Sequence, residues 1–319
     1  MTNRPRRAVV FAYHSVGVRA LSALLALDME VPLVLSHDDD PGENLWFDSV
    51  RDLCDQAGIR CITPEDPNQH AQVEAVRSCA PDWIFSFYYR RMLGPELLSI
   101  PPRGAFNLHG SLLPCYRGRV PVNWAVLNGE RETGMSLHRM VEKPDAGALV
   151  AQERVSILPN DTAHAVFQKL VCAGESLLLR TLPLMLAGKH EEIPLDLSAG
   201  SYFGGRRPED GRIDWSRSAW EVHNLIRAVA PPYPGAFTEI DGKRLMVLGS
   251  WYSGEPARGP APCLYWEGER CYADLPDGRR IRLMRLVSAD RNLSQQSFRA
   301  LFRGEEIRLS PFPPSGSAS

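Results

Sequence analysis

Nowhere in its 319 residues does the chain carry the roughly twenty consecutive apolar residues that a membrane-spanning helix requires, so no membrane insertion is expected. Arg4, Arg6 and Arg7 are followed by an apolar run, Ala8 to Ala12, too short for the core of a secretory leader; a cytoplasmic location is expected. Paired cysteines are missing too. Cys54, Cys61, Cys79, Cys115, Cys172, Cys263 and Cys271 are odd in number and scattered, without Cys-x-x-Cys spacing. They read as reduced thiols, and neither a disulfide framework nor a metal site is expected. An excess of one charge is nearly absent: 36 Lys and Arg against 38 Asp and Glu give a net charge of -2 and no basic field for a polyanion, so nucleic acid is not the expected partner. No Gly-x-Gly-x-x-Gly follows the first apolar run, where only Gly17 occurs, which argues against a nicotinamide site. Internal repeats are lacking as well.

What is present is the composition of an ordinary globular protein, 44% hydrophobic and 23% charged, in a chain long enough for two packed units. Val9 to Tyr13, Val31 to Ser36, Ile59 to Thr63, Trp83 to Phe87 and Ala105 to His109 read as strands, most of them apolar on both faces. Continuous apolar strands suit a sheet covered on both sides, and the intervening stretches, such as Val18, Leu21, Leu24 and Leu25, keep helical spacing. The expected fold is α/β, with an N-terminal domain built on a doubly wound, mostly parallel sheet. Two further strands, Thr133 to Met140 and Ala148 to Ser156, flank a turn at Lys143 to Gly147; a long helix then runs from a cap at Asn160 or Asp161 to Gly188. The Gly, Arg and Pro stretch from Ser198 to Asp210 reads as a linker. Beyond it come one helix, Ala219 to Val229, and short strands about ten residues apart, which suggest a smaller C-terminal β-barrel domain. The domains expected are 1–200 and 201–307, with a disordered tail over 308–319.

Asn107 and His109 lie two apart in a strand, so they project on one side at its C-terminal end, the edge where open α/β sheets bind ligands. An amide donor beside an imidazole suits a tetrahedral oxyanion and a proton in transit. Asp145, in the next turn, could reach the imidazole. Taken alone, Asn-x-His also reads as a satisfied polar strand end, and Pro144-Asp145-Ala146-Gly147 as an ordinary turn. Ser111 has no base partner in its Ser-x-x-Pro turn, which argues against a serine hydrolase.

Phe106-Asn107-Leu108-His109-Gly110-Ser111-Leu112-Leu113-Pro114, with Tyr116-Arg117-Gly118 after it and Asp145-Ala146-Gly147 downstream, resembles the signature of the folate-dependent formyltransferases. The likeness runs from about residue 8 to about residue 250 and includes Asp214-Trp215-Ser216 and Ile226-Arg227-Ala228. It implies that Asn107, His109 and Asp145 are catalytic, that 10-formyltetrahydrofolate is the co-substrate, and that Asp145 raises the pKa of His109. Carried over residue by residue, it places Arg91, Met92, Leu93, Arg119 and the loop Val141, Glu142, Lys143, Pro144 and Asp145 around the folate. Within the family the chain resembles members that formylate UDP-4-amino-4-deoxy-L-arabinose, an acceptor of lipid A modification and polymyxin resistance. Val10 to His14, Asp40 to Glu43, Phe85 to Arg90, Arg117 to Arg119, Asn123-Trp124 and Phe203-Gly204 carry that likeness. This sequence has no second, dehydrogenase half, so oxidation of the sugar acid is expected from another chain.

Arg206 and Arg207 are the sequence's candidates for a nucleotide-sugar diphosphate, because guanidinium grips phosphate in a bidentate way; a charged linker is the plainer alternative. Trp124 and Trp215 read as packing, and His14 as structural. Two other acceptors compete: a different nucleotide-linked aminosugar, and methionyl-tRNA, whose formyltransferases carry a basic loop where this chain has Asp38-Asp39-Asp40-Pro41-Gly42-Glu43. The oligomeric state is left open.

Overall fold

A computed structural model describes residues 6–40, 42, 44–259, 261–304 and 306–309. In chain order the elements are β1 (Arg7–Ala12), α1 (His14–Ala26), β2 (Glu30–Leu35), α2 (Val50–Ala57), β3 (Arg60–Ile62), α3 (His70–Ser78), β4 (Trp83–Phe87), α4 (Pro95–Ser99), β5 (Ala105–His109), β6 (Arg117–Gly118), α5 (Pro121–Leu127), β7 (Glu132–Arg139), β8 (Leu149–Ser156) and α6 (Ala163–Leu186). There follow β9 (Tyr202–Phe203), α7 (Ala219–Val229), β10 (Ala236–Ile240), β11 (Lys243–Trp251), β12 (Cys263–Glu267), β13 (Arg270–Asp274), β14 (Arg280–Ser288), β15 (Arg291–Asn292), α8 (Gln295–Phe302) and β16 (Glu306–Arg308).

The chain divides into two compact units. Among the described residues, the first holds those of 6–121, 132–155 and 167–204, and the second those of 122–131, 156–166 and 205–309. The contacts therefore set the division at Gly204/Gly205 and send two excursions, 122–131 and 156–166, to the second unit, where the sequence had suggested one continuous span over 1–200.

The sheet of the first unit runs β3-β2-β1-β4-β5-β7-β8, parallel from β3 through β5, with β7 antiparallel to β5. Every residue of β4 is buried, as is β1 after Arg7, because helices cover the two faces. The order of the strands reverses between β1 and β4, which makes their C-terminal ends the switch-point crevice. Ser49 caps α2 by accepting from the Asp52 amide, and Gly58 closes it at φ +66. Thr162, rather than Asn160 or Asp161, is the residue whose hydroxyl accepts from the first turn of α6, at the Ala165 amide, whereas Asp161 takes the Leu158 amide before the helix begins. Gly174 lets α6 lie close on the sheet: a methyl there would sit 3.1 Å from Leu108 Cδ2 and 3.2 Å from Met135 Cε.

In the second unit, Ser218 and Glu221 form a capping box at the start of α7, as the Ser-x-x-Glu spacing requires. The apolar stripe Val222, Ile226 and Val229 enters a core with Leu245, Val247, Ile281, Leu283 and Phe298. The sheet over that core runs β10-β11-β14-β13-β12-β16, antiparallel throughout. It is a curled half-barrel with β10 and β16 as its edges, the barrel-like sheet that the strand spacing suggests. Arg227 is 2% exposed; its guanidinium donates to the carbonyls of Leu158, Asp161 and Val126 and to Asn224, which ties both excursions to α7. Arg308 ends β16 and Leu309 is buried, so neither belongs to a tail, and residues 310–319 lie outside the described residues.

Candidate active site

β5 delivers Asn107 and His109 to one side of the sheet, and the antiparallel ladder with β7 sets Ser136 opposite His109 and His138 opposite Asn107. Asp145 sits in the turn before β8 at φ +49, its side chain 13% exposed. The three residues singled out from the sequence meet here. His109 Nδ1 lies 3.5 Å from Asp145 Oδ1, and the same oxygen lies 3.6 Å from His138 Nε2. The second carboxylate oxygen, Oδ2, accepts from the Gly118 amide at 2.8 Å, while His109 Nε2 faces the Tyr116 carbonyl at 2.9 Å. Asn107 donates from Nδ2 to His138 Nε2 at 3.2 Å.

The two backbone groups come from one irregular segment. Tyr116, Gly118 and Val120 all have positive φ, at 57, 95 and 47. The segment is held by β9: the Arg117 amide donates to Ser201 O, the Arg119 amide to Phe203 O, and the Tyr116 amide to the Ser201 hydroxyl. Residues 201–203 are thus part of the site's support and not the linker that composition suggests. Gly118 is required there, since a Cβ would stand 2.3 Å from the Phe203 carbonyl.

Burial pushes the His109 pKa below its ordinary value of 6.5, and the opposing pull of the Asp145 charge and the Tyr116 carbonyl does not make up the loss. Asp145 does pull the His109 pKa upward, as the resemblance implies, but desolvation is larger and the net shift is downward. For Asp145, burial acts upward, yet the His109 ring and the Gly118 amide act against it, and the carboxyl is held at about 2. At neutral pH the site therefore holds a neutral imidazole against a carboxylate. That suits accepting a proton from an attacking nucleophile while the Asn107 amide donates to an oxyanion.

Of the other residues, Met92 and Val141 leave apolar side chains 54% and 41% exposed. Arg91, Arg119, Glu142 and Lys143 are exposed and Pro144 is half-buried. Leu93 is 3% exposed in the core with Val73 and Leu97, so only its backbone is free to meet a ligand. Asn68 pins that loop by donating to Met92 O and accepting from the Gly94 amide. Arg206 and Arg207 belong to the second unit: Arg206 stacks 4.8 Å over Trp124 and donates to Asp210 O, and the Arg207 amide donates to Asp210 Oδ2. Trp215 is buried with its indole donating to Thr238. His14 is 6% exposed at φ +68, stacked on Phe47, with Nδ1 accepting from the Ser15 amide. Sequence reasoning missed His138, although polar Ser136 and His138 alternating with buried Met135 and Leu137 marked one face of β7 as polar. Among the described residues no group of His, Cys, Asp and Glu is arranged to hold a metal ion, and no helix is long and apolar enough to cross a membrane.

Comparison with known proteins places residues 17–182 in the family described as formyl transferase and residues 206–269 in the formyl transferase C-terminal domain. An N-formyltransferase from Helicobacter canadensis, solved with folinic acid and dTDP-3-aminofucose, is similar with a TM-score of 0.70 at 21% identity, covering 88% of this chain and 99% of that one. A sugar 3N-formyl transferase, solved in the presence of dTDP and 5-N-formyl-THF, gives 0.70 at 18% identity over 91% of this chain and 100% of that one. HypX from Aquifex aeolicus in complex with tetrahydrofolic acid gives 0.63 at 19% identity over 98% of this chain and 50% of that longer one. At such identities the likeness to these structures is one of fold.

Proposed function

We infer, because the chain belongs to the formyl transferase family, that it moves a formyl group from 10-formyltetrahydrofolate to the 4-amino group of UDP-4-amino-4-deoxy-L-arabinose. The observation that carries the chemistry is the meeting of Asn107, His109 and Asp145 at the carboxyl edge of the sheet. The neutral amine attacks the formyl carbon and a new C–N bond forms. Asn107 donates to the oxygen of the tetrahedral intermediate, and His109, steadied by Asp145, takes the proton lost by the amine. The same proton passes to N10 as the old C–N bond breaks and tetrahydrofolate leaves.

Met92 and Val141, apolar and exposed, support a flat folate ring beside the site, with Arg91, Arg119 and the Glu142-Lys143-Pro144 turn as its polar surroundings. Arg206 and Arg207 are proposed for the acceptor's diphosphate. A small-molecule acceptor is favoured over tRNA by the acidic loop, in which Asp38 is paired with Arg51 and Thr63, and Asp39 accepts from Tyr13. Pro41 and Glu43 of that loop lie outside the described residues. The sugar of the Helicobacter canadensis complex, dTDP-3-aminofucose, makes a second acceptor class worth testing.

The experiment is direct transfer from 10-formyltetrahydrofolate to UDP-4-amino-4-deoxy-L-arabinose, dTDP-3-amino sugars or methionyl-tRNA, with His109→Ala as control. Formylation of the pentose derivative, abolished in the variant, is the expected result. Transfer only to a dTDP-sugar would move the acceptor to that class, and transfer only to tRNA would overturn the acidic-loop argument.

A further inference from the structure

His138 is 2% exposed, sits directly across the ladder from Asn107, and has both ring nitrogens committed. Its Nδ1 lies 2.8 Å from the carbonyl of Arg139. A carbonyl oxygen has no hydrogen to give, so the ring carries its hydrogen on Nδ1 and donates there. In the neutral ring that leaves Nε2 as a bare lone pair. Two groups stand near it: the Asn107 amide at 3.2 Å and Asp145 Oδ1 at 3.6 Å. The second is an acceptor beyond hydrogen-bond range, and the first is within range with a hydrogen to offer. A flipped Asn107 would turn its carbonyl oxygen onto that lone pair, so Nδ2 must face His138.

We propose that His138 is a positioning residue of the transfer reaction: it fixes the orientation of the Asn107 amide so that one Nδ2 hydrogen is held by the ring and the other is presented to the oxyanion. The chain of restraint runs from the Arg139 carbonyl through the tautomer of His138 to the face that Asn107 shows the substrate. Arg139 is itself anchored, its amide donating to Ala148 O and its guanidinium to Glu192. The inference rests on the formyl-transfer reading for its kinetic consequence but not for its geometry.

Two measurements test it. In the wild-type chain labelled with 15N-histidine, with His138→Phe used to assign the signals, nitrogen shifts at pH 7.5 should show His138 protonated on Nδ1. Protonation on Nε2, with donation to Asp145, would overturn the proposal whether or not the enzyme transfers formyl. In the assay, His138→Phe should lower kcat by about tenfold or more, the order expected when one transition-state hydrogen bond is lost, with KM for both substrates within about twofold. Adding Asn107→Ala should then cost no more than the single Asn107→Ala change, since both act through one amide. An unchanged kcat, or two independent losses, would overturn it. If His138→Phe does not fold, His138→Ala with added imidazole replaces it, and restored kcat is the expected result. A wild-type chain inactive on every acceptor would fail the functional reading and leave the tautomer result to decide this one.

Discussion

Each nitrogen of the His109 ring faces an acceptor, the Tyr116 carbonyl at 2.9 Å and the Asp145 carboxylate at 3.5 Å. A neutral imidazole can donate to only one of them, whereas an imidazolium satisfies both. Burial works against the charged form and holds the pKa below 6.5. The ring thus waits neutral in a setting that already accommodates the proton it will receive. The acid limb of kcat/KM in the wild type should accordingly fall below pH 6.5. Asp145→Asn removes the charge that favours the protonated ring, so that limb should move further down and kcat should drop about a hundredfold or more. A limb above pH 6.5, or an Asp145→Asn enzyme of near-normal kcat, would refute this account. These side chains were legible because residue identity and strand alternation together name a chemistry. Tyr116 O and Gly118 N were not, since a backbone group carries no mark in the sequence, and His138 went unread because one polar residue in a strand has a bland meaning until its cross-strand partner is known.

Elements were legible where hydrophobic period and turn chemistry agreed, as at β4, β5 and α7, whose bounds match the sequence reading residue for residue. The segment from Ser198 to Asp210 was misread because glycine and arginine content signals a linker, whereas β9 takes its order from pairing with β6, a non-local fact. The same limit applies to the excursions 122–131 and 156–166, which are claimed for the second unit by Arg227 through carbonyl oxygens. The β6–β9 pairing has a consequence that Gly118→Ala should expose. An alanine at φ +95 meets the Phe203 carbonyl and must push the segment away, which withdraws the Gly118 amide from Asp145 and the Tyr116 carbonyl from His109. Backbone strain of about 1–3 kcal/mol should lower the melting temperature modestly. The kcat should fall by more than about tenfold, out of proportion to the stability change. Equal, small effects on both would mean that the segment supports the fold and not the chemistry.

Across the molecule, buried and half-buried histidines tie stability to pH. His37, His109, His164 and His223 all have pKa values lowered by burial. His223 is the clearest case: it is wholly buried, Nε2 donates to the Pro159 carbonyl, Nδ1 accepts from the Ser250 hydroxyl, and desolvation, helped by Arg227, holds its pKa at about 4 against the Pro159 carbonyl. Above pH 6.5 neither the folded nor the unfolded chain protonates this ring, and it contributes no pH dependence. Between 6.5 and about 4 the unfolded chain takes up a proton that the folded chain refuses, so acidification favours unfolding. One such group lowers stability by about 3 kcal/mol over that interval, and His109 adds in the same direction. Asp145 behaves differently, since its carboxyl at about 2 withdraws support only below the ordinary value of 3.8. Urea unfolding of the wild type should therefore show midpoints that fall steadily from pH 6.5 to pH 4.5. His223→Gln cannot titrate; it should start lower, because a fitted ring is lost, and then fall along a visibly flatter line. Parallel lines for the two proteins would show that His223 is not the source of the slope.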